Sequence, residues 1–238
     1  IGFILCGIFM VWILSREEVT GQNFFIGLTS ISTLYASASI FLGPGSMMMH
    51  GAHTVWGAWI DNVSMVAYII IPWLLNFKIL NGWTENKFLK AYFIILFLFS
   101  FFSWFYGSEL GIGFSLFGVS IGLWVISEFL YNFYSNSMRF YSGFVGYLVL
   151  WIFGTSPYDV ALNIQEFWWT LFFWLPGLIA TQKPESKRKY NPWFFAGCFF
   201  YILAFTIWLQ GNMMINPDSE WCYPDSIIQP HALWHIIC

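Results

Sequence analysis

Long apolar runs separated by short polar breaks dominate the chain. Nine such segments can be read, at about 1–14, 23–49, 54–79, 88–106, 110–132, 140–154, 165–181, 192–210 and 226–238. A membrane-spanning helix needs roughly 17–25 predominantly apolar residues. Runs such as FIILFLFSFFSWF show no alternation of period two, so the pattern predicts helices and not the strands of a barrel. The expected fold is all-α: a polytopic transmembrane helix bundle of about seven to nine spanning helices, forming a single transmembrane domain over residues 1–238. The segment 140–154 is short for a span. The Ser-Pro-Tyr-Asp sequence at 156–159 should interrupt any helix at or before Ser156. Segments 140–154 and 165–181 are therefore expected to be separate, joined by TSPYDVALNIQ. Both ends read as cut, because the chain opens on Ile1 within an apolar run and stops at Cys238 within another.

Composition supports the same class. The chain is 58% hydrophobic and 9% charged, where soluble domains carry about 25% charged residues. A soluble fold of this size leaves too much surface exposed to hide that apolar content. The formal net charge of -3 gives no attraction to nucleic acid. Cys6, Cys198, Cys222 and Cys238 have no paired spacing, so they provide neither a disulfide framework nor a zinc-thiolate motif.

Charge also predicts orientation. If the chain crosses the membrane at each of the nine segments, the loops near 15–22, 80–87, 133–139 and 182–191 share one side. All nine Lys and Arg residues fall there or within a turn of it: Arg16, Lys78, Lys87, Lys90, Arg139, Lys183, Lys187, Arg188 and Lys189. The opposite side receives Asp61, Glu109, Asp159, Glu166, Asp218, Glu220 and Asp225. The positive-inside rule makes the Lys/Arg side cytoplasmic. KPESKRKYNP then reads as a polar cytoplasmic loop that sets orientation.

The four histidines all belong to the extracytoplasmic side. His50 and His53 lie in GPGSMMMHGAHTVWGAWIDN, and His231 and His235 lie in PDSIIQPHALWHIIC. His231 and His235 are spaced i, i+4, so on a helix they share a face. Such a pair can hold zinc, although HxxxH alone is a weak signal that describes two interfacial histidines more readily than a ligand pair. Ser46 and His50 have the same i, i+4 spacing, and Asp61 follows His50 by 11 residues. Three imidazoles from His50, His231 and His235 leave one tetrahedral position open, as a catalytic zinc requires. The open position suits water whose pKa zinc lowers to about 7. Asp61 can accept a proton from that water, and Ser46 can donate to a developing oxyanion. Asp61 also fits an N-cap, and Ser46 fits ordinary small-residue packing. His53 reads as facing water or headgroups. Met47, Met48 and Met49 read as apolar filler, Tyr35 and Ser37 as possible pocket lining, and Glu128 and Asn132 as interfacial groups at the cytoplasmic end.

SMMMH, an Asp 11 residues on, and HxxxH in the final helix together resemble the alkaline ceramidase family, within the CREST superfamily that also holds adiponectin and progestin-type receptors. The resemblance covers roughly 35 residues at two places. It implies that His50, His231 and His235 bind zinc, that Asp61 holds or deprotonates the water, and that Ser46 polarises the amide carbonyl. The implied reaction hydrolyses the N-acyl bond of a ceramide-like lipid to a fatty acid and a sphingoid base. Eukaryotic ceramidases also carry an acidic N-terminal calcium site. Here Glu17 and Glu18 fall on the cytoplasmic side, the wrong one to supply it; the acidic set of the other side, including Asp218, Glu220 and Asp225, could take a cation, but nothing in its pattern specifies Ca2+. Two other readings of the same motifs stay open. One is an ester-directed lipase or phospholipase. The other is a non-enzymatic receptor or fusion-type member with structural zinc. A third, a proton- or metal-coupled transporter, expects polar residues in both halves of the membrane.

Overall fold

The computed structural model describes residues 1–19, 23–52, 54–110, 112–152, 154–186, 188–213 and 230–237, and among these it is helical without strands. The helices are α1 (Gly2–Leu14), α2 (Ser30–Ala52), α3 (Val55–Leu80), α4 (Glu85–Leu110), α5 (Ile112–Phe133) and α6 (Asn136–Tyr141). They continue with α7 (Gly143–Ile152), α8 (Pro157–Leu162), a 3-10 helix (Trp168–Trp174), α9 (Leu175–Ile179), α10 (Trp193–Met213) and α11 (Pro230–Ile237). Among the described residues, two helical stretches are long and apolar enough to cross a membrane, Val55–Leu80 and Glu85–Gly107. The chain divides into two compact units, residues 3–185 and residues 186–238.

In the first unit α3 is the central element, packing against α2, α4 and α5. Its apolar positions recur at helical spacing, and Val66, Ile70, Leu74 and Phe77 are buried along one side. Ile71 and Leu75 extend this burial to other faces, so α3 is covered nearly all round. α5 carries the packing outward to α7, the 3-10 helix and α9. There Phe173 and Trp174 fill the space that Gly122, Gly146 and Gly143 leave open. Any Cβ at those glycines would meet an aromatic ring within 2.6 Å. In the second unit α10 and α11 pack on each other.

Local chemistry explains where the helices depart from the apolar runs. The run 23–49 begins as turns, and its helix starts only at Ser30. The Thr29 hydroxyl donates to the Phe24 carbonyl, the Ser32 hydroxyl donates to the Gly27 carbonyl at 2.8 Å, and Gly27 takes a φ of 75°. These side-chain bonds offer the backbone an alternative to helix. α7 ends at Ile152, as the Ser-Pro-Tyr-Asp break predicts. Ser156 then caps α8 in a reciprocal box with Asp159, and Pro157 takes the first turn. The stretch 165–181 is not one continuous α-helix. It contains the 3-10 helix followed by the short α9, which Pro176 opens. With α7 only 10 residues long, neither of these two segments is of spanning length as a single α-helix.

Candidate active site

The candidate residues of the first unit, Ser46, His50 and Asp61, lie near the turn from α2 into α3. The two helices run antiparallel and approach through glycine. A Cβ on Gly45 would lie 2.6 Å from the Ser64 Cβ, and one on Gly57 would lie 2.6 Å from the Met48 carbonyl oxygen. Small residues at such a seam let backbones touch, which is how apolar helices associate inside a bilayer. Pro44 removes a backbone donor from α2 just before Ser46.

Thr54 caps α3, its hydroxyl accepting from the Gly57 N–H at 3.1 Å. Asp61 is therefore not a helix cap. It lies one turn beyond Gly57, on the face of α3 that meets α2, and it is half-buried. The Ser64 hydroxyl donates to the Asp61 backbone carbonyl at 2.8 Å, which leaves the carboxylate unused by that bond. Across the seam, Ser46 follows Gly45 and is half-buried, while His50 lies one turn nearer the helix end and is exposed. The His50 imidazole is close enough to the Asp61 carboxylate for their charges to interact. The α2–α3 turn thus brings an imidazole and a carboxylate together at one end of two packed helices, with the Ser46 hydroxyl one turn further along α2. An imidazole nitrogen and a carboxylate oxygen are both zinc donors. A carboxylate beside such a donor can also serve as a base.

The HxxxH pair lies on α11 in the second unit, where its backbone is helical with Pro230 in the first position. The i, i+4 spacing puts His231 and His235 on one face of that helix. Their side chains lie outside the described residues, as do His53 and the acidic residues Asp218, Glu220 and Asp225. Among the described residues, no group of three or more His, Cys, Asp or Glu side chains could hold a metal.

Two polar features were not anticipated as pairings. Tyr35 stacks on Tyr68 with ring centroids 4.9 Å apart, and their hydroxyls bond to each other. Tyr35 is thus committed to the α2–α3 seam, whereas Ser37 points outward and is exposed. Deeper along α3, the Asn76 amide donates at 3.0 Å to both the Ser127 hydroxyl and the Glu128 carboxylate of α5. Glu128, which the sequence places toward one end of its segment, is half-buried and accepts from this fully buried Asn. An Asn inside the run IIIPWLLNFKIL was the available signal, since a buried amide in apolar surroundings must find a partner. Compared with family models, curated proteins and solved structures, the chain matches none.

Proposed function

We propose that the chain is a multi-pass membrane protein of seven to nine spans that hydrolyses the N-acyl amide of a ceramide-like lipid with the help of zinc, in the manner of alkaline ceramidases. The observation that carries this reading is the proximity of His50 and Asp61 at one end of the α2–α3 pair, with Ser46 one turn from His50 along α2. The presence of two helices of spanning length and apolarity supports the membrane setting. So does the polarity of α3, which has Asp61 near one end and Lys78 near the other.

The zinc ligands in this reading are His50, His231 and His235, a set drawn from the sequence pattern. Bound zinc supplies a Lewis acid that acidifies water and polarises a carbonyl. Asp61 takes the proton from the attacking water and passes it to the leaving amine. Ser46 donates a hydrogen bond to the carbonyl oxygen as negative charge develops there. The acyl chain stays within the apolar interior of the membrane while water enters from the extracytoplasmic side. The amide is preferred over an ester on resemblance, so the test must offer both.

The purified protein should be incubated with matched N-acyl and O-acyl lipids, with and without a chelator, and the products identified by mass spectrometry. Chelator-sensitive release of fatty acid and sphingoid base from the amides is expected. Release from esters alone would replace the amidase with a lipase. No release from any lipid by zinc-loaded protein would favour the receptor reading.

A further inference from the structure

The outer face of α4 carries a feature that the proposed hydrolysis does not use. Residues Leu89, Lys90, Phe93, Phe97, Phe101 and Trp104 fall at spacings of one to four residues and form one stripe along that helix. Two shallow depressions lie along this stripe. One, of about 330 Å³, runs from Asn86 to Ile94, and the other, of about 340 Å³, runs from Phe97 to Phe105. The second is walled on its far side by Trp56 and Trp59 of α3. Its wall is fixed: the Trp59 indole N–H donates to the Ser100 carbonyl at 2.9 Å, and Trp59 meets Trp104 edge to face at 5.2 Å. Phe97, which lines the second depression one turn beyond Phe93 of the first, is 67% exposed.

We infer that this stripe is a binding groove for one anionic phospholipid of the cytoplasmic leaflet, with its headgroup at Lys90 and an acyl chain laid along Phe93, Phe97 and Phe101 toward Trp104. Three observations select this occupant. The first is charge: the exposed Lys90 stands at the end of α4 that begins beside Lys87, and basic residues at the cytoplasmic surface attract anionic lipids. Glu85, the nearby acid in the first turn, already interacts with Lys78. The second is length: Lys90 to Phe101 spans about 17 Å of helix, close to half of the ~30 Å hydrocarbon thickness and so the depth of one leaflet. The third is bulk. A partner helix would need small residues to close on α4, but the stripe presents Phe and Trp with gaps between them. A flexible chain can fill gaps between rings; a second helix cannot. The inference rests on α4 crossing a bilayer with its Lys87–Lys90 end at the cytoplasmic surface, and is independent of the hydrolase reading.

Native mass spectrometry of the full chain in detergent tests it, with phosphatidylglycerol and phosphatidylcholine of identical chains offered separately. One phosphatidylglycerol should be retained about fivefold more tightly than phosphatidylcholine, the effect of one headgroup cation. Lys90→Glu should erase that preference. Phe97→Ala should weaken both lipids alike while leaving the unfolding temperature unchanged. Equal retention of the two lipids by the wild type, or an undiminished preference in Lys90→Glu, would overturn the inference. So would disulfide dimerisation of a Phe97→Cys variant well beyond that of the wild type, whose Cys6 is itself exposed, because it would show a second copy seated on the stripe.

Discussion

α3 and α4 are the same length, 26 residues, and their apolar stretches have nearly the same mean hydropathy, yet 67% of that stretch is buried in α3 and 17% in α4. The two helices differ in what interrupts their apolar residues. α3 interleaves Gly57, Asp61, Ser64 and Asn76 with aliphatic side chains. These let α2 close against it and let α5 bond to it. α4 interleaves its aliphatic residues mainly with Phe, Trp and Tyr, most of whose rings face outward, and its Gly107 lies against no neighbouring helix among the described residues. Apolar length alone marks both as candidate spans. The small and polar residues mark which one is central, because only they permit close approach and need partners.

Substitutions on the two helices should therefore differ in cost, and thermal unfolding in one detergent can compare them. Leu74→Ala on α3, where the side chain is 1% exposed, should cost about 2–5 kcal/mol, the range for a buried cavity. Gly57→Ala should cost about 1–3 kcal/mol, because its new methyl meets the Met48 backbone and the turn carrying His50 must shift. Asn76→Leu should cost about 1–3 kcal/mol by stripping the buried bonds to Ser127 and Glu128. Leu98→Ala on α4, where the side chain is 45% exposed, should stay within about 0.5 kcal/mol. Equal losses from Leu74→Ala and Leu98→Ala would remove the contrast between the helices. A Gly57→Ala protein with unchanged stability would show that the α2–α3 seam is not closed.

Much of the local structure was legible in the sequence. The lack of period-two alternation gave helices, Pro157 gave the break after Ile152, and i, i+4 spacing gave the shared face of Ser46 and His50. The start of α2 was not legible, because hydropathy does not register the Thr29 and Ser32 hydroxyls that hold residues 23–29 in turns. The 3-10 helix over Trp168–Trp174 was missed for a similar reason: its run is apolar whichever helical geometry it takes. Pairings across the sequence were the least legible. Tyr35 with Tyr68 and Asn76 with Glu128 are separated by 33 and 52 residues, and nothing in either local pattern names the partner. For the candidate site, sequence supplied all the residues. The structure contributes the proximity of His50 and Asp61 and excludes a capping role for Asp61, since Thr54 fills it.

The proposed division of labour between His50 and Asp61 is what most needs testing. Zinc content and lipid-amide turnover should be measured on the same preparations of wild type, His50→Ala and Asp61→Asn. Asp61→Asn should keep its zinc and lose turnover, because its role is proton transfer. His50→Ala should lose both together, because it is a ligand. Wild-type protein without zinc after careful preparation, or Asp61→Asn with normal turnover, would contradict the proposed chemistry.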